Sequence, residues 1–169
     1  MEYAVLFLPL AGSILGYSGK FISNYFSEIL TSFFTSLAAI LSIIIFYRGV
    51  KFGDYGNYKI FEWLNTGEFV ANWSINIDPL SSVMLVVVTL VSSLVHIYSI
   101  GYMSEDPHKP RFMSYLSLFT FSMLALVVSD NFLQLFFGWE GVGLCSYLLI
   151  GFWYKKNSAN NAAIKAFIV

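Results

Sequence analysis

The stretch from Asn131 to Tyr154, NFLQLFFGWEGVGLCSYLLIGFWY, decides the fold class. Its 24 residues lie between the charged residues Asp130 and Lys155. At 1.5 Å per residue, a helix of this length crosses a hydrocarbon core of roughly 30 Å. The sequence therefore predicts a transmembrane helix over this stretch.

Glu140 is the one charged residue inside this helix. It is tenth in the run, near the depth where an acidic side chain costs about 2.5 to 3.5 kcal/mol. A carboxylate at that depth indicates a buried polar face, a partner cation or water, and a role in moving ions or protons. The alternative is a glutamate that only hydrogen-bonds a neighbouring helix.

The composition of the whole chain agrees with a membrane protein. Of 169 residues, 57% are hydrophobic and only 11% are charged, whereas soluble domains carry about 25% charged residues. The net charge of −1 gives no basis for binding nucleic acid. The single cysteine, Cys145, cannot alone form an internal disulfide, a zinc site or an iron–sulfur cluster, so we expect any redox cofactor elsewhere and read Cys145 as a packing residue.

Two apolar runs precede this region. Residues Tyr3 to Gly19 and Ile29 to Tyr47 are uncharged and long enough to span, and the short link at residues 18–27 makes them an antiparallel hairpin of helices. Gly12 and Gly16 have the spacing that lets two helices approach closely. The second residue is acidic and no cleavage site follows, so the first run is read as a retained helix rather than a signal peptide.

Residues 49–78 have a different character, with four glycines and several charges. Apolar and polar residues alternate from Phe69 to Ile77, which is typical of a half-buried strand. With Lys59 to Leu64 as its partner and residues 65–67 as the turn, the pattern predicts a β-hairpin outside the bilayer. We expect its apolar side to rest on helix ends or on another subunit.

A third span follows Asp78, a predicted N-cap, with Pro79 at the first helical position. Its 26 residues carry no formal charge and include His96. At 100° per residue, the serines and threonines from Ser81 to Ser99 fall with His96 and Asp78 in one arc of about 120°. This polar stripe should face the bundle interior, where His96 is either a proton-relay candidate or a satisfied structural histidine.

The remaining chain predicts a polar loop from Glu105 to Arg111 and a fourth span from Phe112 to Ser129. A tight turn then leads into the Glu140 helix. A sixth helix starts at Ala159 and stops at Val169. An end inside a predicted helix indicates a fragment or one piece of a split gene. The expected fold is thus an all-α polytopic membrane protein with five complete transmembrane helices, the start of a sixth, and a β-hairpin between helices 2 and 3.

Basic residues in the short loops predict the orientation. More basic residues lie in the short loops on one side of the membrane than in the longer segment 49–78 and its flank on the other side. The side with more basic residues is expected to be the inner one, so we expect the N-terminus and the β-hairpin to lie outside. The first group is Lys20, Lys109, Arg111, Lys155 and Lys156, and the second is Arg48, Lys51 and Lys59.

The glycines around Glu140 predict close helix packing. Gly138, Gly141 and Cys145 share one small-residue face, which lets a neighbouring helix approach and leaves space on the carboxylate side. A dinucleotide loop at Gly141 to Gly143 is excluded, because no strand precedes it and no third glycine follows at the required spacing.

Two long segments resemble a known family. SLVHIYSIGYMSEDPHKPRFMSYLSLFTF (Ser93 to Phe121) and DNFLQLFFGWEGVGLCSYLLIGFWY (Asp130 to Tyr154), followed by AIKAFIV, are similar to the N-terminal part of the largest membrane-arm subunit of proton-pumping NADH:quinone oxidoreductase, respiratory complex I. That subunit is chain 5 in mitochondria and subunit L in bacteria. The resemblance runs from about Asp78 to Val169, and residues 1–77 agree with the family only in pattern.

The resemblance implies a subunit without a redox centre of its own. NAD, FMN, iron–sulfur clusters and ubiquinone would belong to partner subunits, and this chain would contribute a proton half-channel. Glu140 matches the family's intramembrane glutamate, which couples to a lysine on a later helix. Lys165 matches a lysine of the sixth helix, with a snorkelling or capping residue as the alternative, and His96 matches the histidine of the third span.

The resemblance also implies partners and a location. We expect other membrane-arm subunits, the lipid bilayer and a separate chain supplying the remaining helices as partners, in the mitochondrial inner membrane or the bacterial plasma membrane. The expected domains are an N-terminal transmembrane hairpin (1–48), an extramembrane loop with the β-hairpin (49–78) and the start of an antiporter-like proton-translocating domain (79–169). The alternatives are a monovalent cation/proton antiporter subunit of the related family and a structural fragment that does not conduct.

Overall fold

The computed structural model of the chain describes residues 1–21 and 23–169, apart from the side chain of Lys20. This part of the chain is mostly helical and contains one small antiparallel sheet. The helices are α1 (Glu2–Ser18), α2 (Asn24–Phe52), α3 (Pro79–Tyr102), α4 (Lys109–Val127), α5 (Phe132–Ile150) and α6 (Asn157–Ile168), with a 3₁₀ turn at Gly19–Phe21, and the strands are β1 (Gly56–Asn65) and β2 (Val70–Ile77).

Among the described residues, four helices, α2 to α5, are long and apolar enough to cross a membrane. α1 has 17 residues and α6 has 12, against the ~20 that a crossing helix usually needs. The helical class and the hairpin are confirmed, whereas five complete crossings remain a prediction. The predicted link at residues 18–27 includes Ile22, which lies outside the described residues.

Several helix boundaries differ from the sequence prediction. α2 extends beyond the predicted run from Ile29 to Tyr47 at both ends. α4 begins at Lys109, three residues before the predicted start at Phe112. α5 ends at Ile150 rather than continuing to Tyr154. Beyond its end, the Gly151 N–H closes the last turn on a carbonyl, and Phe152 is buried with its ring 4.6 Å from the Arg111 guanidinium.

Helices α1 to α4 form a bundle with a polar interior. Lipid supplies no hydrophobic force between helices, so packing and interhelical hydrogen bonds hold such bundles together. The hydroxyls pair between helices: the oxygens of Ser42 and Thr89 are 2.7 Å apart, and those of Ser36 and Ser93 are 2.9 Å apart. The predicted polar stripe of α3 is confirmed as its buried face, which consists of Ser81, Ser82, Leu85, Thr89, His96 and Ser99.

The small residues of α1 lie where helices approach closely, as their spacing predicted. A Cβ added to Gly16 would lie 2.5 Å from Thr31 Cγ2 on α2. The Gly16 carbonyl accepts a hydrogen bond of 2.6 Å from the Ser27 hydroxyl. A Cβ at Gly12 would lie 3.1 Å from Ser117 Oγ on α4, so α1 packs closely against both α2 and α4.

The β-hairpin is seated on the helix ends, which is one of the two arrangements expected. Its strands pair antiparallel with Tyr58 opposite Ile75 and two register shifts in β1. Ile75 and Ile77 join an apolar cluster with the ends of α1, α2, α3 and α4. Asp78 then caps α3 with a bond from the Ser81 N–H, as predicted.

Candidate functional site

The N-terminus of α5 is fixed to the β-hairpin. The Asn131 side chain accepts from the Gln134 N–H at 2.9 Å and donates to the Asn72 carbonyl at 2.7 Å. The Gln134 side-chain amide, fully buried, exchanges two hydrogen bonds with the Ser74 backbone, at 3.2 and 2.8 Å. These contacts hold the helix that carries Glu140 against the hairpin.

The predicted small-residue face of α5 packs directly on α4. A Cβ added to Gly138 would lie 2.7 Å from the Leu126 backbone N, and one at Gly141 would lie 2.8 Å from Ser122 Oγ. Cys145 is buried on the same face, with its sulfur 3.9 Å from Ser122 Oγ. This packing confirms the predicted close approach and sets the rotation of α5.

Because the small face of α5 points to α4, Glu140 points away from it. Glu140 is ninth among the 19 residues of α5 and is exposed in this chain. It borders an open groove of about 430 Å³, lined mainly by apolar and aromatic side chains of α4, α5 and α6. The lining residues are Leu118, Phe121, Ser122, Phe137, Glu140, Gly141, Leu144, Cys145 and Phe167.

Lys165 is not brought to Glu140. On α6, Ala163 packs against Gly151 and Phe167 packs against the Tyr147 ring of α5. Lys165 lies about 160° around the helix from both Ala163 and Phe167 at 100° per residue, and it is exposed. Within residues 1–21 and 23–169, no ion pair joins it to a carboxylate.

His96 is fully buried within the α1 to α4 bundle. Its Nδ1 lies 2.7 Å from the Ser92 carbonyl, so Nδ1 carries the hydrogen and donates to that oxygen. Its Nε2 is buried and has no hydrogen-bond partner among the residues that the structure describes. α4 packs between α3 and α5, so His96 and Glu140 belong to different interfaces.

Sequence reasoning missed a buried ion pair at the other end of the bundle from the hairpin. Glu28 is 1% exposed, and Lys109 Nζ lies 3.5 Å from its Oε1. The sequence prediction places Lys109 in the loop from Glu105 to Arg111 and leaves Glu28 outside the second span. The polar residues near Glu28 could have indicated a buried site. They lie with Glu28 on the buried face of α2, which extends back to Asn24. Gln134 was missed because it lies inside an apolar run.

Two family models match the chain. Residues 63–113 match the model described as NADH-ubiquinone oxidoreductase (complex I), chain 5 N-terminus. Residues 129–169 match the one described as NADH:quinone oxidoreductase/Mrp antiporter, TM. Among relatives, NADH-quinone oxidoreductase subunit L of Rickettsia conorii is 57% identical over 98% of this chain and 25% of its own length. NADH-ubiquinone oxidoreductase chain 5 of Arabidopsis thaliana is 54% identical over 100% of this chain and 25% of its own length.

The chain belongs to the complex I chain 5/subunit L family. The Rickettsia alignment covers 166 residues and therefore includes the first two helices. The first matched range starts at residue 63, so the match to the family begins earlier than the expected start at about Asp78. The chain spans about a quarter of the length of the curated relatives it matches. The second matched range contains α5 and α6 and hence Glu140 and Lys165.

Proposed function

We propose that this chain contributes the first helices of a membrane-arm subunit of a proton-translocating NADH:quinone oxidoreductase. The relatives carry that enzyme's subunit names. The observation that carries the mechanism is Glu140, a carboxylate halfway along an apolar helix that faces an open groove of this chain. A charged group at that depth requires a partner cation or water, and the groove gives access to either.

In this proposal Glu140 is the centre of a proton half-channel. Water or a cation supplied from the groove would let Glu140 hold and release a proton, because burial favours the neutral acid and a nearby cation favours the carboxylate. Lys165 faces away from Glu140 here, so the coupling lysine would come from another part of the assembled subunit. NADH oxidation, with its NAD, FMN, iron–sulfur clusters and ubiquinone, would occur in partner subunits.

The proposed topology has five crossings, with α1 as the fifth. α1 extends alongside α4: Tyr3 reaches the hairpin through a bond to the Lys59 carbonyl, and Ser13 bonds Ser114. The N-terminus and the hairpin lie outside, and the Glu28 end faces the cytoplasm or matrix. We propose residues 1–48, 49–78 and 79–169 as the terminal hairpin, the extramembrane loop and the start of the translocating domain.

The test is Glu140→Gln in the assembled complex, in the plasma membrane of a bacterium or the mitochondrial inner membrane. We expect normal assembly and a large loss of proton pumping coupled to NADH oxidation, with Glu140→Asp milder. Glu62→Gln, a change at an exposed glutamate of the hairpin, is the matched control. Normal pumping by Glu140→Gln would exclude the proposed role.

A second candidate is a cation/proton antiporter subunit, since the matched family description names the Mrp antiporter beside the oxidoreductase. The same carboxylate would then exchange a proton against a monovalent cation. Sodium-resistance complementation in transport-deficient cells separates the two functions. Rescue of growth by the full-length subunit without NADH dehydrogenase would favour the antiporter.

A further inference from the structure

The hydrogen bonding of the polar groups between α2 and α3 differs between the middle and one end of this interface. Near the middle, two hydroxyl pairs connect the helices, Ser42 with Thr89 and Ser36 with Ser93. The helices are antiparallel, so one turn past the Ser36 pair leads to Ser32 on α2 and to His96 on α3. Glu28 lies one further turn along α2, about 6 Å away from Ser32 along the helix.

At this end several buried polar atoms lack hydrogen bonds to described residues, although Glu28 keeps its ion pair with Lys109. Ser32 Oγ, His96 Nε2 and both carboxylate oxygens of Glu28 lack a hydrogen-bond partner within the described part of the chain. The three residues are 7%, 0% and 1% exposed. Buried polar groups almost always have a partner, and unsatisfied ones in a native fold indicate a missing water or ion. Four such atoms along two turns of one interface are a cluster rather than an isolated defect.

The threonine hydroxyls on either side of Ser32 in α2 are already used by the backbone. The Thr31 hydroxyl is 2.9 Å from the Ser27 carbonyl and the Thr35 hydroxyl 2.9 Å from the Thr31 carbonyl, so both donate to the backbone. Lys109 Nζ, 3.5 Å from Glu28, is the cation closest to it among the described ion pairs. The Lys109 side chain is 17% exposed, so the ion pair reaches the surface of the bundle.

We infer that ordered water enters the bundle beside Lys109 and joins Glu28, Ser32 and His96 into a second proton-exchange site, separate from Glu140. A buried water makes about three hydrogen bonds to otherwise unsatisfied polar groups, and these atoms offer both donors and acceptors. Glu28 takes a proton from the entering water to become the neutral acid while Lys109 remains an ammonium group. Glu28 returns to the carboxylate when it passes a proton through water and the Ser32 hydroxyl to the free lone pair of His96 Nε2. His96 then becomes an imidazolium, and its Nδ1–H keeps its bond to the Ser92 carbonyl.

The hydration of this interface is tested directly by high-resolution cryo-electron microscopy of the assembled complex. We expect water density within hydrogen-bond reach of Glu28, Ser32 and His96 Nε2. A dry interface, with these atoms unpaired or bonded to one another, would overturn the inference. This result does not depend on whether Glu140 conducts.

The proton transfer, which rests on the proposed function, is tested with three variants of the complex. For Glu28→Gln we expect NADH-coupled pumping to fall by about tenfold or more, since a positioned proton-transfer group usually contributes ~10²–10⁴-fold. Ser32→Ala should lower pumping as well. Ser13→Ala is the matched control, because Ser13 is equally buried but its hydroxyl is paired with Ser114, and it should pump normally.

Parallel assay of Glu140→Gln separates the two proposals. Loss of pumping in Glu140→Gln with normal pumping in assembled Glu28→Gln would overturn the second site and leave the first. Normal pumping in Glu140→Gln with loss in Glu28→Gln would do the reverse. If Glu28→Gln fails to assemble, difference infrared spectroscopy of the unmodified complex and of Ser32→Ala decides: a carboxyl band that shifts in the variant supports the site, and an unchanged band contradicts it.

Discussion

The side-chain amide of Gln134 on α5 and the backbone of Ser74 on β2 exchange two hydrogen bonds, Ser74 N–H to Oε1 at 3.2 Å and Nε2 to the Ser74 carbonyl at 2.8 Å. The Gln134 side-chain amide thereby pairs with the middle of β2 as the backbone of a neighbouring strand would. This exchange couples the extramembrane hairpin to the helix that carries Glu140. Displacement of the hairpin therefore displaces the start of α5.

We expect Gln134→Leu to destabilise the chain. It leaves the Ser74 N–H and carbonyl buried without partners, and each unsatisfied group costs about 1–3 kcal/mol. Unfolding of the chain in mixed detergent micelles measures the change. Asn161→Leu on the exposed face of α6 is the control, and an equal effect in both variants would contradict the coupling.

The α4–α5 contact predicts opposite outcomes at two glycines of one helix. Gly138→Ala places a Cβ 2.7 Å from the Leu126 backbone N, and overpacking of this kind typically costs 1–3 kcal/mol. At Gly143, apart from the nearby backbone of α5 itself, no atom of the described residues lies within 4 Å of the added Cβ. There alanine should stabilise the helix by up to about 1 kcal/mol through its higher helix propensity. The same unfolding assay measures both, and equal changes would show that α5 does not pack on α4 through Gly138.

The Ser42–Thr89 hydroxyl pair predicts measurable coupling between α2 and α3. Its oxygens are 2.7 Å apart and both residues are buried. We expect a double-mutant cycle with Ser42→Ala and Thr89→Val to give a coupling free energy of about 0.6 kcal/mol, the average for such bonds within membranes. A cycle of Ser42→Ala with Thr66→Val in the hairpin turn should give none, and equal values would argue against the pairing.

The loop between α3 and α4 should respond to acid. Partial burial raises the pKa of Asp106, but the His108 N–H and the Trp153 indole outweigh it, so the pKa lies below its ordinary value of 3.8. The folded pKa is depressed, so the stabilisation is fully present above about pH 3.8 and is lost as the pH falls through the folded pKa. The Trp153 N–H lies 2.9 Å from Asp106, and Trp153 fluorescence, isolated by subtracting a Trp153→Phe variant, follows its release.

The control for the acid response is Asp106→Asn. The amide cannot titrate, so the fluorescence change below pH 3.8 should disappear in this variant. A change that persists with the same midpoint would assign it to another group. The carboxylate near it in sequence, Glu105, is exposed, which makes Glu105→Gln a second control that should leave the transition in place.

Much of the fold followed from local sequence patterns. The alternation from Phe69 to Ile77 and the arc of about 120° through His96 each predict which face of a segment is buried. The structure buries the polar face of α3 and the predicted apolar face of β2 from Ala71 to Ile77, whereas Phe69 is exposed. The N-cap at Asp78 depends on a hydrogen bond within four residues. Helix ends such as Gly151 were less predictable, because the contact of Phe152 with Arg111 comes from 41 positions earlier in the chain.

The sequence by itself determined that the chain is a membrane protein with Glu140 inside an apolar helix, because hydrophobicity and the length of an uninterrupted run are local properties. It also determined the small face of α5 and the polar face of α3, because helical periodicity places residues around an axis. Only the tertiary structure decided which helices those faces meet, that Glu140 turns away from α4 and that Lys165 turns away from Glu140. The tertiary structure also decided that Glu28 pairs with Lys109. A contact between two helices depends on how all four helices of the bundle pack, and the periodicity of one helix does not specify that packing.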